Sequence, residues 1–110
     1  MSASLRNEGG YAIVCLAGEI DLYSSPEARA LILDSLGADQ PTLVDLAAVS
    51  YIDSSGVASL VEGFQLARQR GVDFALVGVS AGALNVLRLA RLDQVFPLYA
   101  SVQARLDALR

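Results

Sequence analysis

The chain has 110 residues, 54% of them hydrophobic and 18% charged, with a formal net charge of −4 at pH 7; these values predict one folded domain over residues 1–110 rather than a disordered tail. The acidic balance argues against nucleic acid or an anionic membrane as the main partner, because phosphate binding needs clustered cations. No apolar run approaches the roughly 20 residues of a membrane span, and residues 1–10 lack the apolar core of a signal peptide, so we expect a cytoplasmic protein with no membrane insertion.

Strand-like and helix-like segments alternate along the chain. Residues 11–17 and 72–79 are nearly continuous, β-rich apolar runs of the kind that form buried strands. The predicted elements, in chain order, are a weak strand over 4–8, a strand over 11–17, a helix over 25–36, a strand over 43–46, a helix over 54–70, a strand over 72–79, a helix over 81–92, a strand over 94–96 and a helix over 101–109. This alternation predicts an α/β domain with a mixed, mainly parallel sheet of about four or five strands covered by about four helices.

The ends and faces of the helices carry their own signals. Ser24 and Pro26 predict the start of the first helix, since a hydroxyl caps well and proline suits the first helical position, and Gly37 predicts its end. Gly71 is expected as the C-cap of the second helix, and Ser80 as the N-cap of the third. Apolar residues recur at helical spacing in the second helix. Its predicted inward stripe consists of Val57, Leu60, Val61, Phe64 and Ala67.

Missing residue types restrict the chemistry further. The chain has no His and no Lys, so all 8 of its cations are Arg. This removes imidazole bases and ligands, Schiff-base lysines and the lysine of phosphate-binding loops. The single Cys15 allows neither an internal disulfide nor a thiolate zinc cluster, and we interpret it as a small core residue. We therefore expect a binding or signalling module with no catalytic residue, no bound metal and no cofactor.

The sequence Asp-Ser-Ser-Gly that begins at Asp53 joins a strand-like stretch to the second predicted helix. Its plainest interpretation is capping, in which Asp53 or Ser54 accepts a hydrogen bond from a backbone N–H two or three residues on. A functional interpretation stands beside it, because a phosphate on Ser54 would be tolerated at a helix N-terminus. Gly56 would let another chain approach closely. Carboxylates at Glu19, Asp21 and Asp53 would make an added phosphate repulsive toward an acidic partner surface.

Three segments, taken in order and spacing, resemble a known family. Residues 18–21 read Gly-Glu-Ile-Asp, and about thirty residues later 51–57 read Tyr-Ile-Asp-Ser-Ser-Gly-Val. Together they look like the paired signatures of anti-sigma-factor antagonists, the single-domain bacterial STAS proteins. The likeness continues through the second helix to residues 87–96, which are similar to the family's closing helix–strand segment. It thus covers nearly the whole chain and implies one STAS-type domain.

That resemblance implies a regulatory function. The unphosphorylated protein would bind an anti-sigma factor, typically a serine kinase of the histidine-kinase-like ATPase fold, and so free a sigma factor for transcription. The kinase would phosphorylate the first serine of the motif, and the complex would dissociate. A metal-dependent phosphatase would then remove the phosphate and restore binding.

The resemblance also places these roles on particular residues. Ser54 matches the phosphorylated serine, and the expected partner surface is the exposed start of the following helix, near Val57, Ala58 and Val61. The expected environment of the phosphosite consists of Glu19, Asp21, Asp53, Ser55 and Gly56. A phosphate adds about −1.5 to −2 charges at neutral pH. Since weakening a complex about a thousandfold requires roughly 4 kcal/mol, we expect a local electrostatic and steric switch without refolding.

Two other functions remain open from the sequence. One is a STAS-type accessory subunit of a phospholipid ABC transporter, which would bind the ATPase subunit and need not keep a phosphorylatable serine. The other is a small enzyme that uses Glu19, Asp21 and Asp53 as a carboxylate pair or a magnesium site. The sequence supplies no base, nucleotide cradle or substrate pocket for that enzyme.

Overall fold

The structure is a computed structural model that describes residues 1–109; Arg110, the last residue of the predicted domain, lies outside them. The elements are β1 (Ser2–Glu8), β2 (Tyr11–Ile20), α1 (Ser25–Gly37), β3 (Thr42–Ile52), α2 (Ser54–Arg70), β4 (Phe74–Val77), α3 (Ala81–Leu89), a 3₁₀ turn (Leu92–Gln94), β5 (Leu98–Tyr99) and α4 (Val102–Asp107). The strands form one five-stranded sheet in the order β1-β2-β3-β4-β5. β1 pairs antiparallel with β2, and the other neighbours pair in parallel, which confirms the predicted α/β class and mixed sheet.

The two faces of the sheet are covered unequally. Successive residues of a strand point to opposite faces, so Val14 and Val44 join the main core, whereas Ile13 and Leu43 join a second, smaller cluster. Buried residues of α1, α2 and α3 complete the main core. On the other face, the short helix α4 contributes Val102 to the second cluster. The main layer of helices therefore lies on one side, and α4 alone packs on the other.

Two central strands are longer than the sequence predicts. β2 was expected to end at residue 17 and β3 at residue 46, but they continue to Ile20 and Ile52. Their pairing is irregular in this region, with register shifts next to Ala17 and Gly18, and Gly18 has a φ of +84°. These irregularities break the alternation of buried and exposed residues, which is why the pattern indicated a loop.

The prediction of a strand over residues 94–96 is wrong. Residues 92–94 form the 3₁₀ turn, and the last strand is Leu98–Tyr99. Phe96 is buried for a different reason, because its ring packs edge-on against Phe64 with centroids 5.5 Å apart. Pro97 has no N–H to donate, but its carbonyl accepts from the Leu76 N–H at 3.0 Å and so begins the short edge strand.

The ends of α1 differ from the expectation. The Ser24 side chain makes no capping hydrogen bond, although proline does occupy the first turn. Gly37 is the last helical residue rather than the terminator, and the left-handed conformation falls at Asp39, with φ +58°. The caps predicted at Gly71 and Ser80 are both confirmed.

The buried face of α2 is centred on small residues rather than on the predicted stripe. Leu60 and Ala67 are buried as expected, but Val57, Val61 and Phe64 are only half-buried. The other buried positions of this helix are Gly56, Ser59 and Gly63. Small side chains at these positions bring the helix axis close to the sheet and to α1.

Cys15 is half-buried beside the second cluster rather than fully enclosed in the core. It packs there as a small apolar residue would.

Candidate functional site

The candidate site lies where the parallel strands β2 and β3 end side by side. Ile20 is the register partner of Ile52, and the Asp53 N–H donates to the Ile20 carbonyl at 3.0 Å. The loop that follows β2 and the turn that follows β3 are therefore adjacent. The carboxyl end of a parallel sheet is a common place for function, because loops from neighbouring strands converge there. Two segments that lie about thirty residues apart in sequence, containing Asp21 and Asp53, thus come together.

Asp53 is the N-cap of α2. Its Oδ1 accepts hydrogen bonds from the Ser55 N–H at 2.9 Å and the Gly56 N–H at 3.2 Å, and from the Ser55 hydroxyl at 2.5 Å. The Ser55 hydroxyl is the main cause of a lowered pKa of the Asp53 carboxyl, with further lowering by the backbone N–H groups of Gly56, Ser55 and Leu22. The carboxylate is therefore ionised at neutral pH and occupies the donors at the start of the helix.

Ser54 is the first residue of α2, and its side chain is exposed. Within residues 1–109 its hydroxyl has no hydrogen-bond partner. Of the two capping residues that the sequence allows, Asp53 is the one that caps, so the hydroxyl of Ser54 is not needed for the fold. A modifying enzyme could reach it without breaking a contact.

Gly56 faces inward and not toward a partner. A Cβ at this position would lie 2.6 Å from Ile52 Cγ1 and 2.9 Å from Ile20 Cγ2, both on buried side chains. The expectation that Gly56 lets another chain approach is therefore wrong. The glycine instead allows the first turn of α2 to sit against the ends of β2 and β3.

The Asp21 side chain organises the loop after β2. Its Oδ1 accepts from the backbone N–H groups of Tyr23 and Ser24, both at 3.0 Å, and from the Ser24 hydroxyl at 3.1 Å. In return the Asp21 N–H donates to the Ser24 hydroxyl oxygen at 2.9 Å. Glu19 differs from Asp21, since its side chain is exposed on the strand opposite Tyr51. Asp21 is thus a structural carboxylate, whereas Glu19 is a surface charge.

Only part of the predicted partner surface is exposed. Ala58 is exposed, but Val57 and Val61 are half-buried and pack against the main core. Their apolar character is explained by that packing. The expectation that all three lie on an exposed surface is therefore corrected. Ala58 is exposed, and the two valines expose only part of their side chains.

Sequence reasoning missed two residues of this site. Leu22 and Tyr23, in the loop after β2, are 69% and 92% exposed. A signal was available, since large apolar residues between Asp21 and the helix start at Ser24 have no predicted element to bury them.

The carboxylates do not assemble into a metal site. Across residues 1–109 no group of three or more His, Cys, Asp or Glu side chains is placed to hold a metal ion. The magnesium-site alternative for Glu19, Asp21 and Asp53 therefore has no geometric basis. In the same part of the chain, no helix combines the length and the apolar character needed to cross a membrane.

Comparison with known proteins agrees with the family resemblance seen in the sequence. Residues 2–104 match the family model described as the STAS domain. The chain is 30% identical over 86 residues to the anti-sigma-B factor antagonist of Listeria monocytogenes, and the aligned region covers 77% of this chain and 75% of that protein.

Solved structures show the same fold. The chain is similar to the crystal structure of an anti-sigma factor antagonist from Mycobacterium paratuberculosis, with a TM-score of 0.84, 24% identity, and coverage of 97% of this chain and 92% of that one. It is also similar to the Bacillus cell fate determinant SpoIIAA in its phosphorylated form, with a TM-score of 0.77, 19% identity, and coverage of 99% and 100%.

Proposed function

The chain belongs to the STAS-domain family, and we propose that it is an anti-sigma-factor antagonist whose partner binding is switched off by phosphorylation of Ser54. The observation that carries this proposal is the division of roles between neighbouring residues. Asp53 caps α2, while the adjacent Ser54 hydroxyl is exposed and has no partner within the described chain. The relative in Listeria monocytogenes bears the name of an anti-sigma-B factor antagonist, which supports the choice of partner.

The local electrostatics support a surface switch rather than a refolding switch. The Asp53 carboxylate already accepts from the Ser55 and Gly56 N–H groups, so a phosphate on Ser54 meets a helix N-terminus at which these two donors are in use. It would stay at the surface beside an ionised carboxylate, adding about −1.5 to −2 charges there. A dianion at the centre of a packed interface has to be desolvated, is bulky, and repels any acidic group of the partner that directly faces it. Roughly 4 kcal/mol from these effects weakens a complex about a thousandfold.

The rest of the cycle follows from the family resemblance. In this proposal the anti-sigma factor is itself the serine kinase, of the histidine-kinase-like ATPase fold. A metal-dependent phosphatase removes the phosphate and restores binding. Ser54 is a substrate in both steps, and the chain acts by binding alone.

The test uses candidate anti-sigma-factor kinases from the same genome. Each is incubated with the protein and ATP, the phosphate is mapped by mass spectrometry, and binding is measured by calorimetry. We expect the phosphate on Ser54, constitutive binding by Ser54→Ala, and binding by Ser54→Asp that is weaker by at least about 10-fold. Ser4→Ala removes an exposed serine from β1 and serves as the matched control, with unchanged phosphorylation and binding.

Two results would overturn the proposal. One is wild-type affinity of the Ser54→Asp variant for the anti-sigma factor. The other is the absence of binding to every anti-sigma factor, together with binding to the ATPase subunit of a phospholipid transporter, which would establish the accessory-subunit function instead.

A further inference from the structure

The loop after β2 presents an apolar tip to solvent. Leu22 is 69% exposed and Tyr23 is 92% exposed, in a chain whose other large apolar side chains are mostly packed. A single exposed apolar residue is ordinary, but adjacent large ones beside a functional turn indicate a binding surface. We call these two residues the Leu22–Tyr23 tip.

The tip is held in place by hydrogen bonds rather than hanging on a mobile loop. The Tyr23 and Ser24 N–H groups both donate to Asp21 Oδ1, and the Asp21 N–H donates to the Ser24 hydroxyl oxygen at 2.9 Å. The Ser25 N–H donates to the Asp21 carbonyl at 2.8 Å, which connects the loop to the first turn of α1. An ordered backbone loses little further entropy when its side chains bind, and tyrosine is among the residues that most often dominate interfaces.

The tip is continuous with the Ser54 turn. The Asp53 N–H donates at 3.0 Å to the carbonyl of Ile20, two residues before Leu22, and Asp53 immediately precedes Ser54. A partner that covers the Ser54 hydroxyl therefore meets the tip on the same surface.

The charges around the tip have one sign. Asp21 directly precedes it, the exposed Glu19 lies three residues before Leu22, and Asp53 is hydrogen-bonded to the end of the same strand at Ile20. The arginine of α1, Arg29, is already paired with Glu62 through an Nε–Oε1 distance of 2.6 Å. An apolar tip within a carboxylate rim is complementary to an apolar pocket with a basic rim.

From this placement we propose that Leu22 and Tyr23 are the apolar anchor by which the chain docks its anti-sigma factor, in an apolar pocket of that partner rimmed by Arg or Lys. The inference rests on the proposed function, because it assigns the same partner. It adds a second, separate contribution to the interface. The anchor supplies affinity through burial of apolar surface, whereas a phosphate on Ser54 weakens the complex through its charge. The two contributions differ in their response to salt, since screening weakens charge interactions but not apolar burial.

The experiment titrates the anti-sigma factor that phosphorylates Ser54 in the kinase assay above into purified full-length variants. Tyr23→Ala is expected to weaken binding about 30-fold and Leu22→Ala about 10-fold. Leu89→Ala is the matched control, because Leu89 is 88% exposed at the far end of α3; its affinity should stay within about twofold of the wild type. Each variant should keep the wild-type unfolding temperature, since the residues it alters are exposed.

A second pair of variants tests the basic rim. Glu19→Gln should weaken binding and reduce its dependence on salt concentration, because it removes one exposed charge from the rim. Asp34→Asn removes an exposed carboxylate from the distant half of α1 and should change neither quantity. The Tyr23→Ala variant should keep the wild-type salt dependence at its lower affinity.

The outcomes distinguish this inference from the proposed function. If Ser54→Asp loses binding as expected while Tyr23→Ala and Leu22→Ala bind like the wild type, the anchor is overturned and the switch stands. If the tip variants instead abolish a concentration-dependent self-association in sedimentation and leave partner affinity unchanged, the occupant is a second copy and the inference is wrong. Failure of the wild type to bind any anti-sigma factor overturns both.

Discussion

Three consecutive residues after β3 have three different environments. The Asp53 carboxylate is fixed by donors from Ser55 and Gly56, the Ser55 hydroxyl is held by Asp53, and Ser54 between them is exposed. The alternation follows from the geometry of a helix start, where the capping residue folds back over the first turn. A phosphate on a hydroxyl in this position would break no hydrogen bond of the fold.

The capping role of Asp53 predicts an order of stabilities. Asn is as good an N-cap as Asp, whereas Ala cannot accept the backbone N–H groups. At pH 7 we expect Asp53→Asn to unfold at nearly the wild-type urea concentration and Asp53→Ala at a clearly lower one. Because the pKa of Asp53 is lowered in the folded state, first by the Ser55 hydroxyl, the part of the advantage that comes from the charge is present above the ordinary value of 3.8 and is lost as the pH falls through the folded pKa, where the wild type should behave like Asp53→Asn.

Equal urea midpoints for Asp53→Ala and the wild type at pH 7 would show that Ser54 takes over the cap. Its hydroxyl would then no longer be free, and phosphorylation of that variant should slow. Asp34→Ala controls for the loss of an exposed helical carboxylate.

The motif residues of the site could be predicted from the sequence because their roles are local. The capping of α2 by Asp53 depends only on the next three residues. The helical spacing already placed Val57 and Val61 on the inward stripe, where they pack half-buried against the main core, and this conflicts with their assignment to an exposed surface. The exposure of Leu22 and Tyr23 depends instead on what packs over them, which the strand and helix patterns do not specify. The prediction therefore treated two half-buried valines as exposed and did not identify the exposed side chains of Leu22 and Tyr23.

At the scale of elements, α2 approaches its neighbours through glycine. A Cβ on Gly63 would lie 2.7 Å from Ile32 Cγ2 of α1 and 3.2 Å from Phe74 Cε2 of β4. Because Ile32 is fully buried and Phe74 belongs to a packed aromatic group with Phe64, neither has free space to move into. The spacing between α1 and α2 thus depends on the absence of one methyl group.

Gly63→Ala should therefore destabilise the protein by about 1–3 kcal/mol through overpacking, despite the better helix propensity of alanine. Gly37→Ala is the matched control, because no atom lies within 4 Å of a Cβ placed there and the residue is helical. It should leave stability unchanged or raise it by up to about 1 kcal/mol. Urea unfolding of both variants measures the difference, and a Gly63→Ala variant as stable as Gly37→Ala would contradict tight packing of α2.

Elements with a regular pattern were predictable, and those with irregular pairing were not. The apolar runs of β2 and β4 and the caps at Gly71 and Ser80 follow from local rules. The second half of β3 does not, because Val49 and Ile52 are buried three residues apart across a register shift. The two-residue β5 has too few side chains for any pattern and exists only through its pairing with β4.

At the scale of the whole molecule, α4 is fastened to the sheet by a polar group at the edge of the second cluster. The Arg105 guanidinium donates to the Asp73 carboxylate and, at 2.9 Å, to the Tyr99 hydroxyl, and it lies 4.9 Å from the centroid of the Tyr99 ring. The Tyr11 hydroxyl also donates to Asp73. This group links β2, the residue before β4, the strand β5 and the helix α4. It therefore holds α4 against the face of the sheet that no other described helix covers.

The ionisation of Asp73 makes the attachment of α4 to the sheet dependent on pH. Burial alone would raise the pKa of its carboxyl, but hydrogen bonds from Tyr11 and Arg105 and the charge of Arg105 outweigh burial and lower it. A group whose pKa is lowered by folding stabilises the protein above its unfolded pKa, here near 3.8, and that contribution is lost as the pH falls through the folded value. The attachment of α4 should thus be strong at neutral pH and weak in acid.

Asp73→Asn should cost about 1–2 kcal/mol at pH 7, a moderate value because 32% of the Asp73 side chain remains exposed. The free-energy difference from the wild type should shrink below about pH 4, since the wild-type carboxyl is then protonated and resembles the amide. Urea unfolding at pH 7, 5 and 3 measures it, with Asp34→Asn as the control for general acid destabilisation. A difference that stays constant from pH 7 to pH 3 would mean that packing by Val102 and Leu106, rather than the Asp73 charge, holds α4 on the sheet.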